Sequence, residues 1–307
     1  MEEKISTIFF GTEAFARDIL ESLVNSEQIF VDLVITKPDQ KIGRKQESQE
    51  NPVKKFAKKH KIAIRQPEDL DHLQIEGDID IGVAAQFGKI IPKFLLNTPK
   101  YGILNVHTSL LPKFRGPAPI QTALLKGASK TGVTIMKMDE GLDTGPILLQ
   151  KVIEIEPTDK YPNLSKKLAQ LGSEALLAAI PKYVNNELEP KPQQEEQATT
   201  TTHFTRKDGK IDWSDNAEDI YNQYRAFTPW PGIWTKWDDQ RLKLHEIKTV
   251  EKDLKKGEVK VDNNNLFIGC GKNAISVQEI QPAGKQKMKI QDFINGYGDR
   301  IDGEILT

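Results

Sequence analysis

The chain is poor in cysteine, in long apolar runs and in net charge. A single cysteine among 307 residues, Cys270, excludes an internal disulfide and any zinc cage built from cysteines, and it suits a reducing compartment. Within an apolar run it reads as a small hydrophobe. No stretch approaches the ~18 apolar residues that a membrane span requires, and Met1-Glu2-Glu3-Lys4 is not a basic n-region followed by an apolar run, so no secretory leader is expected. A cytoplasmic protein without membrane contact is therefore expected. Lys+Arg number 43 against 44 Asp+Glu, so no overall basic excess advertises nucleic acid, although a local basic segment can still bind it. The fingerprint Gly-x-Gly-x-x-Gly is missing; Phe10-Gly11-Thr12 supplies half a dinucleotide turn, which argues against NAD. No metal-ligand cluster is apparent either, and no metal is expected.

What is present is enough apolar sequence, 37% of the residues, to bury a sizeable core in about two domains. Apolar runs alternate with amphipathic segments in the first half: Ile5 to Phe10, then Glu13 to Val24; Val31 to Thr36, then Pro52 to Lys61; Ile79 to Ala85; Gly102 to Val106; Val133 to Met138. Strands alternating with helices imply an α/β domain whose mostly parallel sheet is covered on both faces. Leu164, Leu168, Leu171, Ala175 and Ala178 recur at helical spacing, predicting a long helix from about Asn163 to Asn185. Residues 189–204 hold little that is apolar and read as an extended linker between a first domain, 1–188, and a second, 205–307. After a helix near Asn216 to Phe227, the second domain has short apolar runs separated by turns such as Asn263-Asn264-Asn265, the pattern of a small β-barrel or sandwich. Trp213, Trp230, Trp234 and Trp237 are expected to serve packing there rather than base stacking.

In parallel sheets ligands gather at the carboxyl ends of the strands. Asn105 and His107, two residues apart on one strand, project from the same face near such an end. An amide beside an imidazole suits oxyanion binding and proton transfer, although an isolated Asn-x-His is more often a hydrogen-bonded structural pair. The stretch Met138-Asp-Glu-Gly-Leu142-Asp143-Thr-Gly145 follows another apolar run, and its glycines allow a tight loop at the same sheet edge. From there Asp143 could orient His107 or hold a water, or the segment is simply a turn rich in Asp and Gly. Between these stretches, the prolines of Phe114-Arg115-Gly116-Pro117-Ala-Pro119 fix an ordered loop and start a helix.

Taken together, Asn105-Val-His107-Thr-Ser109-Leu-Leu-Pro112-Lys-Phe-Arg-Gly116, Gly132-Val-Thr-Ile-Met-Lys-Met-Asp-Glu-Gly-Leu142-Asp143-Thr-Gly145, Ile211-Asp-Trp213 and Arg225-Ala-Phe-Thr-Pro229-Trp-Pro231 resemble the formyltetrahydrofolate-dependent transferases. Within them the resemblance is to the branch acting on methionyl initiator tRNA, and it covers essentially the whole chain. It implies a Rossmann-like N-terminal formyltransferase domain and a smaller C-terminal OB-like β-barrel that binds tRNA. It also implies transfer of a formyl group from 10-formyltetrahydrofolate to the α-amine of methionyl initiator tRNA, by an enzyme expected to be a monomer. By resemblance the catalytic residues are Asn105, His107 and Asp143. The folate contacts are Ser109, Leu110, Leu111, Pro112, Phe87, Gly88, Ile90, Ile91 and Leu142. An insertion that enters the acceptor stem falls on the long segment from Lys37 to Asn51, with Arg44 at its key position and Lys41 and Lys45 beside it. From Lys37 to Lys61 nine basic residues stand against three acidic ones, although Glu47 and Glu50 put acid where the family is more basic. From Thr205 onward 17 Lys+Arg balance 17 Asp+Glu, so any tRNA affinity of the second domain depends on charge clustered on one face. A sugar-nucleotide N-formyltransferase would use the same three residues on an amino-sugar; the long loop with Arg44 favours tRNA. A formyltetrahydrofolate hydrolase and a catalytically silent RNA-binding module are further readings, separable by acceptor-independent folate turnover and by tRNA retention without transfer.

Overall fold

The computed structural model describes residues 4–42 and 47–307. Two compact units emerge. The first comprises residues up to Pro119, Lys130–Glu154 and Ser165–Thr202; the second comprises Ile120–Ser129, Ile155–Leu164 and His203–Thr307.

The chain begins with β1 (Ile5–Gly11), α1 (Ala14–Val24), β2 (Ile29–Ile35), the short strands β3 (Gln40–Ile42) and β4 (Glu47–Gln49), α2 (Pro52–Lys59), β5 (Ala63–Arg65), β6 (Ile81–Ala85), α3 (Lys93–Leu96) and β7 (Ile103–His107). There follow α4 (Pro119–Leu125), β8 (Lys130–Lys137), β9 (Ile147–Glu154) and α5 (Tyr161–Val184). Seven strands form one sheet in the order β5-β2-β1-β6-β7-β8-β9. The five from β5 to β7 are parallel, as the alternation of strands and helices predicts, and β8 and β9 add an antiparallel edge. Central strands are buried on both faces, which is why they read as unbroken apolar runs: Ile8, Phe9 and Phe10 in β1 and all five residues of β6 are buried. α1 sets Phe15, Ala16, Ile19, Leu20 and Leu23 on one buried face, the i, i+3, i+4 pattern of an amphipathic helix.

β9 is absent from the sequence reading. Its residues alternate between half-buried and exposed along most of its length, as suits an outer strand with one solvated face, and so they lack the apolar density of the central strands. The expectation for the loop after β8 also needs correction. Leu104 pairs with Lys137 and His107 with Thr134, so β8 runs against β7 and ends level with the start of β7. The loop bearing Asp143 therefore leaves from the opposite end of the sheet from the one expected.

Residues 191–201 are extended apart from one 3-10 turn at Glu195–Gln197, and they are tied down. Lys191 pairs with Ile147, Phe114 N–H donates to Thr199 Oγ1 (2.9 Å), and Arg115 exchanges backbone hydrogen bonds with Thr199 and Thr201 (2.8 and 2.7 Å). The segment follows the first unit as a strap.

The second unit contains α6 (Ala217–Phe227), β10 (Ile233–Trp237), β11 (Gln240–Val250), β12 (Val259–Asp262), β13 (Asn265–Gly269), β14 (Ala274–Pro282), β15 (Met288–Lys289) and α7 (Ile290–Ile301). Its sheet is antiparallel, in the order β10-β11-β14-β13-β12 with β15 on β14, and register shifts in β11 bend it. The C-terminal residues join the outer strands: Thr307 bonds Lys236 of β10 (2.7 Å), while Glu304 and Gly303 bond Val259 of β12 (2.9 and 2.8 Å). Both edges are thus covered, the closure expected of an OB-like barrel. Trp213 and Trp234 are buried, as expected for packing; Trp230, 54% exposed, is not.

Candidate active site

β7 carries the first two site residues. Alternation along the strand puts Asn105 and His107 on one face, Asn105 half-buried and His107 5% exposed. His107 Nε2 lies 3.0 Å from the carbonyl oxygen of Phe114. A carbonyl only accepts, so this nitrogen carries the hydrogen and donates it, which leaves Nδ1 as the nitrogen 3.5 Å from Asp143 Oδ2.

Asp143 reaches the pair by folding back from the end of β8. Its backbone sits at φ +54°, a left-handed conformation that Asp tolerates better than most residues. Its carboxylate accepts from Gly116 N–H at 2.7 Å through Oδ2, while Oδ1 accepts from Asn105 Nδ2 at 3.4 Å. One carboxylate thus holds an amide, an imidazole and a backbone N–H in a single cluster. Gly116, at φ +110°, is where the backbone must approach: a Cβ there would come within 2.8 Å of Thr201 O.

Around the cluster the strap supplies polar side chains. Gln193 Nε2 donates to the carbonyls of Asp143 (2.8 Å) and Gly145 (2.7 Å), and its Oε1 accepts from Arg115 Nε (3.1 Å) and Nη2 (2.9 Å). Arg115 is buried and also makes a two-pronged pair with Glu195 (2.7 and 2.8 Å). The guanidinium hydrogen bonds hold the exposed Glu195 carboxyl below its usual range. Sequence reasoning took Arg115 and Gly116 as architecture and placed Gln193 in a linker, so none of them was found; the only signal was a run of polar side chains too uniform to rank.

Residues 3–180 match the formyl transferase family, and residues 203–298 match the formyl transferase C-terminal domain. This chain belongs to the formyl transferase family. Methionyl-tRNA formyltransferase from Caldicellulosiruptor saccharolyticus is 40% identical over 98% of this chain and 99% of its own length. The enzyme of the same name from Staphylococcus epidermidis is 39% identical over 97% and 98%. Among solved structures, an N-formyltransferase from Helicobacter canadensis in complex with folinic acid and dTDP-3-aminofucose superposes with a TM-score of 0.67 at 21% identity, over 91% of this chain and 99% of that one. HypX from Aquifex aeolicus in complex with tetrahydrofolic acid superposes with a TM-score of 0.66 at 16% identity, over 98% of this chain and 49% of that one. At such identities the two structures speak for the fold alone.

In this formyl transferase the residues expected at the folate are of two kinds. Ile90, 91% exposed, and Leu142, 67% exposed, are large apolar side chains left open on two loops, and Lys93 and Glu140 join those loops through a 2.5 Å ion pair. Phe87, Ile91, Ser109 and Leu111 are instead buried. Phe87 meets Phe10 edge-on at 5.6 Å and its carbonyl accepts from Thr12 Oγ1 (3.2 Å), so its side chain backs the loop. Ser109 Oγ donates to Lys113 O at 2.5 Å and Thr134 Oγ1 to Ser109 O at 2.7 Å, which shapes the turn that follows β7. Leu110 and Pro112 are half-buried, and Gly88 is exposed at φ +68°.

Of the residues expected at the tRNA, Arg44 and Lys45 lie outside the described residues, and Lys41 lies on β3, its backbone opposite Ser48 of β4. The base of this hairpin is firmly held. Asn51 and Gln66 side chains both donate to Lys37 O (3.1 and 2.7 Å), and Lys54 Nζ pairs with Asp39 at 2.7 Å. Asn51 also accepts from Lys54 N–H (2.9 Å), capping α2 and fixing where the loop ends. Among the described residues no helix is long and apolar enough to cross a membrane.

Proposed function

We propose that this enzyme moves the formyl group from N10 of 10-formyltetrahydrofolate to the α-amine of methionine esterified to initiator tRNA. The observation that carries the proposal is the Asp143 carboxylate gathered with Asn105 and His107, in a chain about 40% identical to methionyl-tRNA formyltransferases over nearly its whole length. A folate suits the surroundings: exposed Ile90 and Leu142 offer apolar contact to a flat heterocycle, on loops joined by Lys93 and Glu140.

The neutral amine attacks the formyl carbon, forming a C–N bond and placing negative charge on the formyl oxygen. Asn105 offers an amide N–H to that oxyanion. His107 offers Nε2–H, which rests on the neutral carbonyl of Phe114 at 3.0 Å; an oxyanion is the stronger acceptor, roughly twofold for charge-assisted bonds, and competes for that hydrogen. Each such donor contributes about 3–4 kcal/mol. Asp143, beside Nδ1, balances the imidazolium and receives the amine proton directly or through a water. Collapse of the tetrahedral species breaks the bond to N10, which takes up a proton as tetrahydrofolate leaves.

Acceptor choice is assigned to the segment from Lys37 to Asn51, whose residues Lys41, Arg44 and Lys45 are proposed to meet acceptor-stem phosphates. The C-terminal domain, residues 205–307, is proposed to bind tRNA as well. The test is formyl transfer to methionyl initiator tRNA, with methionyl elongator tRNA and an amino-sugar nucleotide alongside. Formylation confined to the initiator is the expected result; transfer to the amino-sugar alone would overturn the choice of acceptor and leave the chemistry standing.

A further inference from the structure

Asp143 poses a mechanical problem. It sits in left-handed backbone on a loop that starts at the far end of β8, and beyond Lys137 and Met138 that loop no longer runs along a strand. Two of its carbonyls, those of Asp143 and Gly145, point at Gln193 and take both of its amide hydrogens, at 2.8 and 2.7 Å. The other end of the same amide accepts two hydrogen bonds from Arg115, which Glu195 holds by a two-pronged ion pair. Arg115 in turn lies between Phe114, whose carbonyl orients His107, and Gly116, whose N–H holds the Asp143 carboxylate. All the polar valences of Gln193 are thus spent joining the loop of Asp143 to the loop that orients His107.

We propose that Gln193, braced by Arg115 and Glu195, is a positioning residue that fixes the Asp143 carboxylate against His107 and Asn105. The inference rests on the transfer reading given above. Gln193 touches no reacting atom; it acts through the backbone on either side of Asp143. Loss of its amide leaves two carbonyls without donors, and the loop can then relax toward more ordinary backbone angles, carrying the carboxylate away from the imidazole.

The test is a mutant cycle read by single-turnover formylation of methionyl initiator tRNA, using wild type, Gln193→Met, Asp143→Asn and the double variant of the full chain. Gln193→Met preserves length and removes the hydrogen bonds. It is expected to lower the maximal rate about tenfold to a hundredfold, with KM for 10-formyltetrahydrofolate and for tRNA changed by less than about threefold. In the Asp143→Asn background the same substitution is expected to cost less than about twofold, because a residue acting through Asp143 has nothing left to act on. A residue that merely stabilises the fold would instead lower the rate by an equal factor in both backgrounds. Equal factors, or a Gln193→Met rate within about twofold of wild type, would overturn the proposal. Should Gln193→Met not fold, Gln193→Glu serves in the same cycle, since it keeps the acceptor for Arg115 and loses both donors to the loop. A wild-type chain that formylates no methionyl initiator tRNA would refute the functional reading itself, a result distinct from an active wild type with an indifferent Gln193.

Discussion

Asp143→Asn changes charge while keeping the size of the side chain, which makes it the sharpest perturbation of the site. The carboxylate accepts from Gly116 N–H at 2.7 Å and lies 3.4 Å from Asn105 Nδ2 and 3.5 Å from His107 Nδ1. An amide has a single acceptor oxygen. Keeping it on Gly116 turns the new NH2 toward the Asn105 amide nitrogen, donor against donor; turning it round sets NH2 against the Gly116 N–H. The cost to stability is the charge assistance of one hydrogen bond, about 1 kcal/mol, or a melting point lowered by about 2–4 °C in a domain of this size. In the proposed mechanism the chemistry loses the group that balances His107 and the acceptor of the amine proton. General acid–base contributions of about 10²–10⁴ correspond to roughly 3–5 kcal/mol at 1.36 kcal/mol per decade. Single-turnover formylation with both substrates saturating should therefore fall a hundredfold or more while the thermal unfolding midpoint moves by a few degrees. A rate within about tenfold of wild type would remove Asp143 from the mechanism, and a rate loss matched by an equal loss of folded protein would reduce it to a structural residue.

Leu142 is 67% exposed, so Leu142→Ala should leave thermal stability unchanged while raising KM for 10-formyltetrahydrofolate about tenfold, the loss expected when ~1.5 kcal/mol of apolar burial is withdrawn from a bound ligand; an unaltered KM would take Leu142 out of the folate site. The carboxyl of Glu195 titrates below its ordinary value of 4.5 because Arg115 hydrogen-bonds its charged form, so its contribution is complete above pH 4.5 and disappears as pH falls through the lower, folded value. The melting temperatures of wild type and Glu195→Gln should accordingly differ at pH 6, begin to converge as pH falls past 4.5 and meet below the folded value, and a constant difference would contradict the Arg115 pairing. Arg44→Ala should weaken use of methionyl initiator tRNA and lower the salt dependence of that binding by about one unit of slope, with folate binding intact; equal losses for tRNA and folate would contradict the assignment of the loop.

The central strands were legible because burial on both faces demands unbroken apolar runs: Ile5 to Phe10 was expected and Ile5–Gly11 is found, and Ile79 to Ala85 was expected where β6, Ile81–Ala85, is found. The elements missed are those whose stability comes from elsewhere. β9 is an outer strand with little apolar signal, and α7 contains Gly296 and Gly298, each unfavourable in a helix by about 1 kcal/mol, offset in the fold by the burial of Ile290, Phe293 and Ile301. Trp230 looked like its three neighbours in composition, yet the turn it occupies leaves it exposed while Trp213 and Trp234 are enclosed. At the site, the pairing of Asn105 with His107 followed from the two-residue period of a strand, whereas the reach of Asp143 depended on a strand direction that no local pattern encodes. Gln193 was beyond sequence reasoning for a related reason: one glutamine in a polar stretch differs from the next only through what lies opposite it.

The antiparallel turn from β7 to β8 connects these failures. Had β8 run parallel to β7, Asp143 would have followed the strand out at the same edge as His107, and the sheet itself would have set their distance. Because Lys137 lies beside Leu104 instead, the loop from Asp139 to Gly145 must return across the end of the sheet, and its backbone forfeits ladder partners on the way. Buried or half-buried carbonyls still require donors. Gln193 supplies them to Asp143 and Gly145, and Gly116 supplies one to the carboxylate itself. The strap is therefore ordered for the same reason that the acid is in place: carbonyls left over by a reversed strand are satisfied by Gln193, some fifty positions away, and satisfying them fixes the geometry that the proposed transfer chemistry uses.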